Sequence, residues 1–198
     1  MTHSVDYYAV AISPWTYLGH ERFCAIARAA GATVNLKMMD LGAVFVQSGG
    51  LPLKQRAPQR QAYRLQELAR WSAHLNIPMN VQPKYFPADT SLASAVTVHL
   101  RDTVSTDAAL RFLGSVTKAV WADELNIAER STVEKLLVQQ GYSAALIDLS
   151  QNNATADAIK ADTDAALQAQ VFGAPSFVIG DQLYWGQDRL DFVKQALS

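Results

Sequence analysis

Apolar positions run in two rhythms along the chain. Val5 to Ile12 (VDYYAVAI) is rich in β-branched and aromatic residues, is too short for a stable helix and is followed by a proline, so it predicts a buried strand. Pro14 suits the first turn of a helix, where its missing N–H would be unpaired anyway. Leu18, Arg22, Ala25, Ile26 and Ala29 follow at helical spacing, and Gly31 is a C-terminal stop. Thr33 to Leu41 (TVNLKMMDL) predicts a second strand, which completes a strand, helix and parallel strand.

The rhythm then changes. Gln47 to Pro58 (QSGGLPLKQRAP), with adjacent glycines and two prolines, predicts a loop. From Gln59 the pattern is helical: Leu65, Leu68, Ala69, Trp71, Ser72 and Leu75 form one stripe. After a proline-rich loop at Asn76 to Pro87, three more helices are expected at Leu92 to Arg101, Asp107 to Asp123 and Ser131 to Gln140. The last carries a capping box in Ser131 and Glu134 and stops at Gly141. Thr155 to Gln170 predicts a further amphipathic helix. Val171 to Trp185 predicts two strands joined by a turn at Gly180-Asp181, and Gln187 to Leu197 a final helix. The expected fold class is α/β, with a βαβ half and a ββα half separated by a large all-helical insertion. Residues 1–45 and 155–198 form one domain and 46–154 the insertion.

Composition narrows the function without naming it. In 198 residues, Lys+Arg 17 and Asp+Glu 18 nearly cancel, so there is no general electrostatic case for nucleic acid or a membrane surface. No basic region leads into an apolar signal stretch, and no run approaches the ~18 apolar residues of a membrane span. The single cysteine, Cys24, excludes an internal disulfide and a cysteine-based zinc cluster. Beside Ala25 and Ile26 it reads as a small buried filler rather than a nucleophile. A cytoplasmic, reducing location is the simplest expectation. His20, His74 and His99 show no ligand spacing, Trp71 and Trp121 read as core, and Asp157, Asp162 and Asp164 read as a solvated helix face.

The candidate chemistry lies at the two ends. Ser13-Pro14-Trp15-Thr16 occupies the strand-to-helix turn where a thioredoxin-like protein carries Cys-Pro-X-Cys, with hydroxyls in place of both sulfurs. A hydroxyl cannot cycle between thiol and disulfide. Gly173-Ala174-Pro175-Ser176 stands before the hairpin, where such proteins have a cis-proline facing that turn. A plain trans loop is the alternative, and the pairing with Ser13-Pro14 favours cis.

With Ser13-Pro14 and Thr16-Tyr17-Leu18 after the first strand, a long helical insertion, Phe172-Gly173-Ala174-Pro175 and then Trp185 to Leu190 (WGQDRL), the whole chain resembles the 2-hydroxychromene-2-carboxylate isomerases. These belong to the DsbA-like family and are related to kappa-class glutathione transferases. The resemblance implies glutathione as cofactor, a small aromatic carboxylate as substrate and a homodimer. It implies that Ser13 hydrogen-bonds the glutathione sulfur, at a helix N-terminus that favours thiolate over thiol. Ser13 also reads as an N-cap, and one hydroxyl can serve both roles. It further implies that Ala174, before Pro175, holds the cysteinyl backbone and that Trp185, Gly186, Gln187 and Asp188 hold the γ-glutamyl end. The alternative reading of Asp188 is a first-turn acid complementing the helix dipole. Substrate contacts are expected from two loops, at Leu51, Pro52, Lys54, Arg56, Tyr85 and Phe86. The chain departs from the isomerases in reading Gly49-Gly50-Leu51-Pro52 where they offer asparagine before proline, and Ala9-Val10-Ala11 where an aspartate is often found. The implied activity is glutathione-dependent isomerisation of 2-hydroxychromene-2-carboxylate to trans-o-hydroxybenzylidenepyruvate. A kappa-like glutathione transferase and a non-catalytic thioredoxin-like binding module are the alternatives.

Overall fold

The computed structural model describes residues 3–198. Strand β1 (Ser4–Ala9) pairs in parallel with β2 (Thr33–Met38), Tyr7 facing Leu36, and antiparallel with β3 (Ser176–Ile179), Tyr7 facing Phe177. β3 pairs antiparallel with β4 (Gln182–Trp185), which gives the strand order β2-β1-β3-β4. Because side chains alternate along β1, its residues divide between the two faces. Val5, Tyr7 and Ala9 enter the larger core with Phe23 and Phe177, while Tyr8 and Val10 pack with Met39, Val44 and Ala166 on the other face. Tyr7 stacks on Phe177 at 5.2 Å and Phe23 closes on both rings.

Helix α1 (Pro14–Ala29) crosses between β1 and β2, and Gly31 follows it in the left-handed region at φ 61°. All elements between β2 and β3 are helical: α2 (Leu41–Ser48), α3 (Pro58–Leu75), α4 (Ser91–Thr103), α5 (Thr106–Trp121), α6 (Arg130–Gln139), α7 (Leu146–Ser150) and α8 (Asn153–Gln168). A closing helix α9 (Leu190–Ala196) follows a 3-10 turn at Gln187–Arg189. The expected two-ended α/β architecture with its helical insertion is thus the observed one.

Three local expectations are corrected. The second strand ends at Met38 and a helix begins at Leu41, because the Asp40 carboxylate accepts from Gly42 N at 2.8 Å and Ala43 N at 3.2 Å as an N-cap. The helix takes in Leu41 from the expected strand and Gln47 and Ser48 from the expected loop; only from Gly49 onward is the segment a loop, with a 3-10 turn at Leu53–Gln55. In α6 the N-cap is Glu129 rather than Ser131, with no side-chain capping bond, since Asn126 holds the preceding turn through Ala128 N and the Glu129 carboxylate. Asp162 is not solvated: it is 3% exposed and accepts from Arg101 Nη1 at 2.5 Å and Met38 N at 3.0 Å, with Lys37 Nζ at 3.6 Å. The same Arg101 nitrogen donates to Leu36 O at 2.9 Å, so this ion cluster bolts α4 and α8 to β2. Burial raises the Asp162 carboxyl, and Arg101 opposes that rise.

Two contacts set the first helix against the insertion. His20, 1% exposed, lies between Tyr7 Oη at 3.1 Å and Leu110 O at 2.8 Å, a satisfied core histidine that ties α1 to α5. Trp121, fully buried as expected, donates its indole N–H to Ile12 O at 3.2 Å. The end of α5 thereby buttresses the turn that leads into Ser13.

Candidate active site

Ser13 has extended backbone angles (φ −73°, ψ 125°) and caps α1: its Oγ accepts from Thr16 N at 3.2 Å. The same oxygen donates to Ala174 O at 3.3 Å, and Ser13 is 8% exposed. Pro14 occupies the first helical turn, so the chain enters the helix without a wasted N–H. The two ends of the sequence therefore meet at one hydroxyl. The Ala174-Pro175 peptide is cis, as expected, and so is Phe86-Pro87, which nothing in the sequence marked out.

Beyond Ala174 lies an open cavity of about 560 Å³. One side is formed by Trp15, Ala174 and the segment Trp185 to Arg189. Close packing shapes that side: a Cβ on Gly173 would meet Trp185 Nε1 at 2.4 Å, so the indole lies directly on the glycine. Gly186 has φ 103°, and a Cβ there would meet Asp188 Oδ1 at 2.4 Å. Gln187 is 1% exposed and is held by Arg22, whose Nη1 donates to Oε1 at 2.7 Å. Gly19 lets α1 approach it, since a Cβ there would come to 2.7 Å from Gln187 Cβ.

The opposite side is the face of α3. Arg60, Arg64, Glu67 and Trp71, with Arg56 just before the helix, line the cavity together with Tyr63. Counting Arg189 and Asp188, four arginines face two carboxylates, so the cavity is cationic although the whole chain is nearly neutral. Arg70 beside Glu67 holds that carboxyl below its ordinary value. Burial, and then the neighbouring Arg56, push Arg64 down to about 10.

Of the residues singled out by sequence, Ala174, Trp185, Gly186, Gln187, Asp188 and Arg56 line this cavity. Ser13 sits behind Ala174, hydrogen-bonded to it, and buried Pro175 accepts from Gly186 N at 2.9 Å through its carbonyl. Leu51 and Pro52 are exposed on the loop, where Leu51 O accepts from Arg56 Nε at 2.8 Å, and Lys54 projects from the 3-10 turn outside the cavity. Tyr85 lies under Lys84 Nζ at 4.9 Å, and Phe86 packs on Trp121 at 4.9 Å, behind the cavity wall. The sequence does not mark out Trp15, Arg60, Tyr63, Arg64, Glu67 or Arg189 as site residues, and Trp71, expected in the core, packs against it and also lines the cavity. A signal was present: Arg60 and Arg64, and Tyr63, Glu67 and Trp71, recur every four residues, which makes two adjacent ridges of one helix face, and Arg56 continues the first spacing just before the helix.

The arrangement offers a hydroxyl at a helix N-terminus beside a cationic cleft, suited to hold an anionic ligand and to favour thiolate over thiol. It offers no dithiol, because positions 13 and 16 carry hydroxyls. Burial, chiefly, pushes the Cys24 thiol up to about 12. Among the described residues no cluster of histidine, cysteine and acids is placed to hold a metal, and no helix is long and apolar enough to cross a membrane.

Similar proteins have the same outline. The 2-hydroxychromene-2-carboxylate isomerase of Sphingobium xenophagum is 25% identical over 199 residues, covering 100% of this chain and 99% of that one. The Pseudomonas putida enzyme of the same name is 26% identical over 197 residues, covering 98% and 94%. A solved 2-hydroxychromene-2-carboxylate isomerase superposes with a TM-score of 0.81 at 25% identity, covering 98% of this chain and 94% of that one. A probable DsbA oxidoreductase from Streptomyces coelicolor shares the fold at a TM-score of 0.75 and 18% identity, covering 98% and 88%. The family model described as DSBA-like thioredoxin domain matches residues 4–198, and the chain belongs to that family.

Proposed function

We propose that the protein is a glutathione-dependent isomerase that converts 2-hydroxychromene-2-carboxylate, or a close analogue, to trans-o-hydroxybenzylidenepyruvate. The full-length similarity to isomerases of that name supports the reaction. The observation that carries the cofactor is the Ser13 hydroxyl, placed at the N-terminus of a 16-residue helix and joined to Ala174, where a redox relative would carry sulfur.

The residues present fit glutathione. The cavity has the size of a small-ligand site, and the absence of a Cβ at Gly173 and Gly186 lets Trp185 and Asp188 pack close to the main chain and form its wall. Ala174 presents main chain beside the sulfur position, and Asp188 offers a carboxylate to an ammonium group. Glutathione held there by Ser13, Ala174 and Asp188 would supply a nucleophilic thiolate for reversible addition to the conjugated system of the substrate.

Ser13 serves that chemistry through two unequal bonds. The Thr16 amide fixes Oγ from one side, while the O–H to Ala174 O at 3.3 Å is long for a hydroxyl donor. Its proton is therefore readily turned towards an anionic sulfur at little cost. Trp15 supplies an apolar wall for an aromatic ring, and the arginines of α3 draw the acid in. A cytoplasmic homodimer belongs to the same reading.

Product analysis tests it. Incubation of 2-hydroxychromene-2-carboxylate with the protein should give the trans oxo-acid only when glutathione is present, with free glutathione recovered. A stable thioether product would instead mark a transferase, and a native protein that binds no glutathione in calorimetry would remove both enzyme readings.

A further inference from the structure

The arginines of the cavity are not equivalent. Arg56 gives its Nε to Leu51 O and lies over the Phe45 ring at 5.8 Å. Arg189 stands 3.1 Å from Asp188, and Glu67 is taken by Arg70 at 2.5 Å, so both acids of the cavity already have partners. Arg64 has no carboxylate partner among the described residues. Its guanidinium lies over Phe86 at 5.2 Å and over Trp121 at 5.6 Å. Against such faces a guanidinium loses water from its plane and keeps its N–H edges available, in the fork that matches a carboxylate. Burial and the nearby Arg56 already weaken its hold on the proton, which is the condition of a cation short of counter-charge. Arg60 stands one turn earlier on the same ridge.

Trp121 connects this cation to the chemistry. Its indole N–H reaches Ile12 O at 3.2 Å, the residue before Ser13. Arg64 therefore rests on the ring that supports the serine turn, and it lines the cavity that Ala174 lines from the other side.

We propose that Arg64, seated on Phe86 and Trp121 and flanked by Arg60, is the carboxylate-recognition residue of this cleft. The inference deepens the proposed function and rests on it only for the identity of the acid; the anion chemistry stands on the geometry. Two carboxylates fit, that of an aromatic oxo-acid and the glycyl end of glutathione. In this arrangement Phe86 acts from behind the wall, by holding the guanidinium, rather than by touching substrate.

Calorimetric titration of native protein and Arg64→Gln separates the sources with three probes: trans-cinnamate, glutathione and γ-glutamylcysteine, which lacks the glycyl carboxylate. Arg64→Lys, which keeps the charge and loses the fork, stands in should the glutamine variant melt early, and is expected to weaken binding in the same direction. The expected result is at least a tenfold loss of affinity for cinnamate or for glutathione, with γ-glutamylcysteine unchanged. Loss for cinnamate assigns Arg64 to the aromatic acid, and loss confined to glutathione assigns it to the glycyl end. Equal affinities in native and variant for all three probes, an equal loss for all three, or a native protein that binds neither cinnamate nor glutathione would overturn the proposal. A native protein that binds cinnamate through Arg64 yet isomerises nothing would sink the isomerase reading alone.

Discussion

Ser13 Oγ and Ala174 O, 161 positions apart in sequence, are joined by a hydrogen bond of 3.3 Å. The bond sets the hydroxyl of a helix cap against the main chain that precedes the cis proline. Ser13→Ala removes the cap and, with it, the hydroxyl that we propose as donor to sulfur. Unfolding free energy should fall by ~0.5–2 kcal/mol, the ordinary value of a cap. Turnover should fall by ~10²-fold, the scale for losing one preorganised donor. Thermal melting with kcat/KM checks both. Ultraviolet titration of bound glutathione should show its thiol ionising at higher pH in the variant, which loss of a cap alone would not produce.

Gly19 and Gln187 meet so closely that a methyl group has no room. A Cβ on Gly19 would lie 2.7 Å from Gln187 Cβ and 3.4 Å from its Cα, which is backbone and cannot swing aside. Gly19→Ala should destabilise by ~1–3 kcal/mol through overpacking. It should also weaken glutathione binding, because the displaced segment carries Gly186 and Asp188. Unchanged affinity in a variant that melts early would separate this packing from the ligand site.

Cys24 has a pH signature. Its thiol, ordinarily at 9.0, is pushed up to about 12, chiefly by burial. The raised value means that the folded state favours the neutral thiol. The corresponding stability is complete below pH 9.0 and is lost as pH rises towards about 12, because the unfolded chain releases its proton first. Comparison of melting curves with Cys24→Ala should show the native protein losing stability more steeply across that window. At pH 8 the native thiol should react slowly with iodoacetamide and readily after unfolding.

Asp162 is the structural charge of the fold. Asp162→Ala takes the buried carboxylate from Arg101, which keeps Asp102 and Leu36 O, and leaves Met38 N without its acceptor. The cost should fall towards the lower end of ~3–5 kcal/mol for breaking a buried pair, since the Arg101 side chain keeps 15% exposure. Denaturant unfolding measures it. A loss below about 1 kcal/mol would show that water replaces the carboxylate.

Much of this protein was legible from local rules. The β1 run, Pro14 after Ser13, Gly31 as a stop and the Gly180-Asp181 turn each act through their own backbone chemistry, so their elements fall where the sequence places them. Helix α2 was missed because LGAVFV is apolar on every side, and periodicity cannot assign such a run; the deciding signal was the Asp40 cap. Asp162 misled for the opposite reason. Its charge, near those of Asp157 and Asp164, reads as solvated although Ala158, Ile159, Ala165 and Ala166 share its helix face, and only the packing of that helix against β2 brings Arg101 and Lys37 to it.

The site divides along the same line. Sequence by itself determined that the turn at Ser13-Pro14 carries no sulfur and that Ala174-Pro175 and Trp185 to Asp188 belong to one half of a split fold, because these are statements about residue type at motif positions. Only the tertiary structure decided that α3 closes over them with Arg60, Arg64, Tyr63, Glu67 and Trp71, and that Phe86 lies behind Arg64 rather than in the cavity. The physical reason is that a helix face acquires a role from what it packs against. The ridge of arginines is visible in the sequence as a spacing, but the loss of water and counter-charge that gives Arg64 its place comes from Phe86, Trp121 and the depth of the fold.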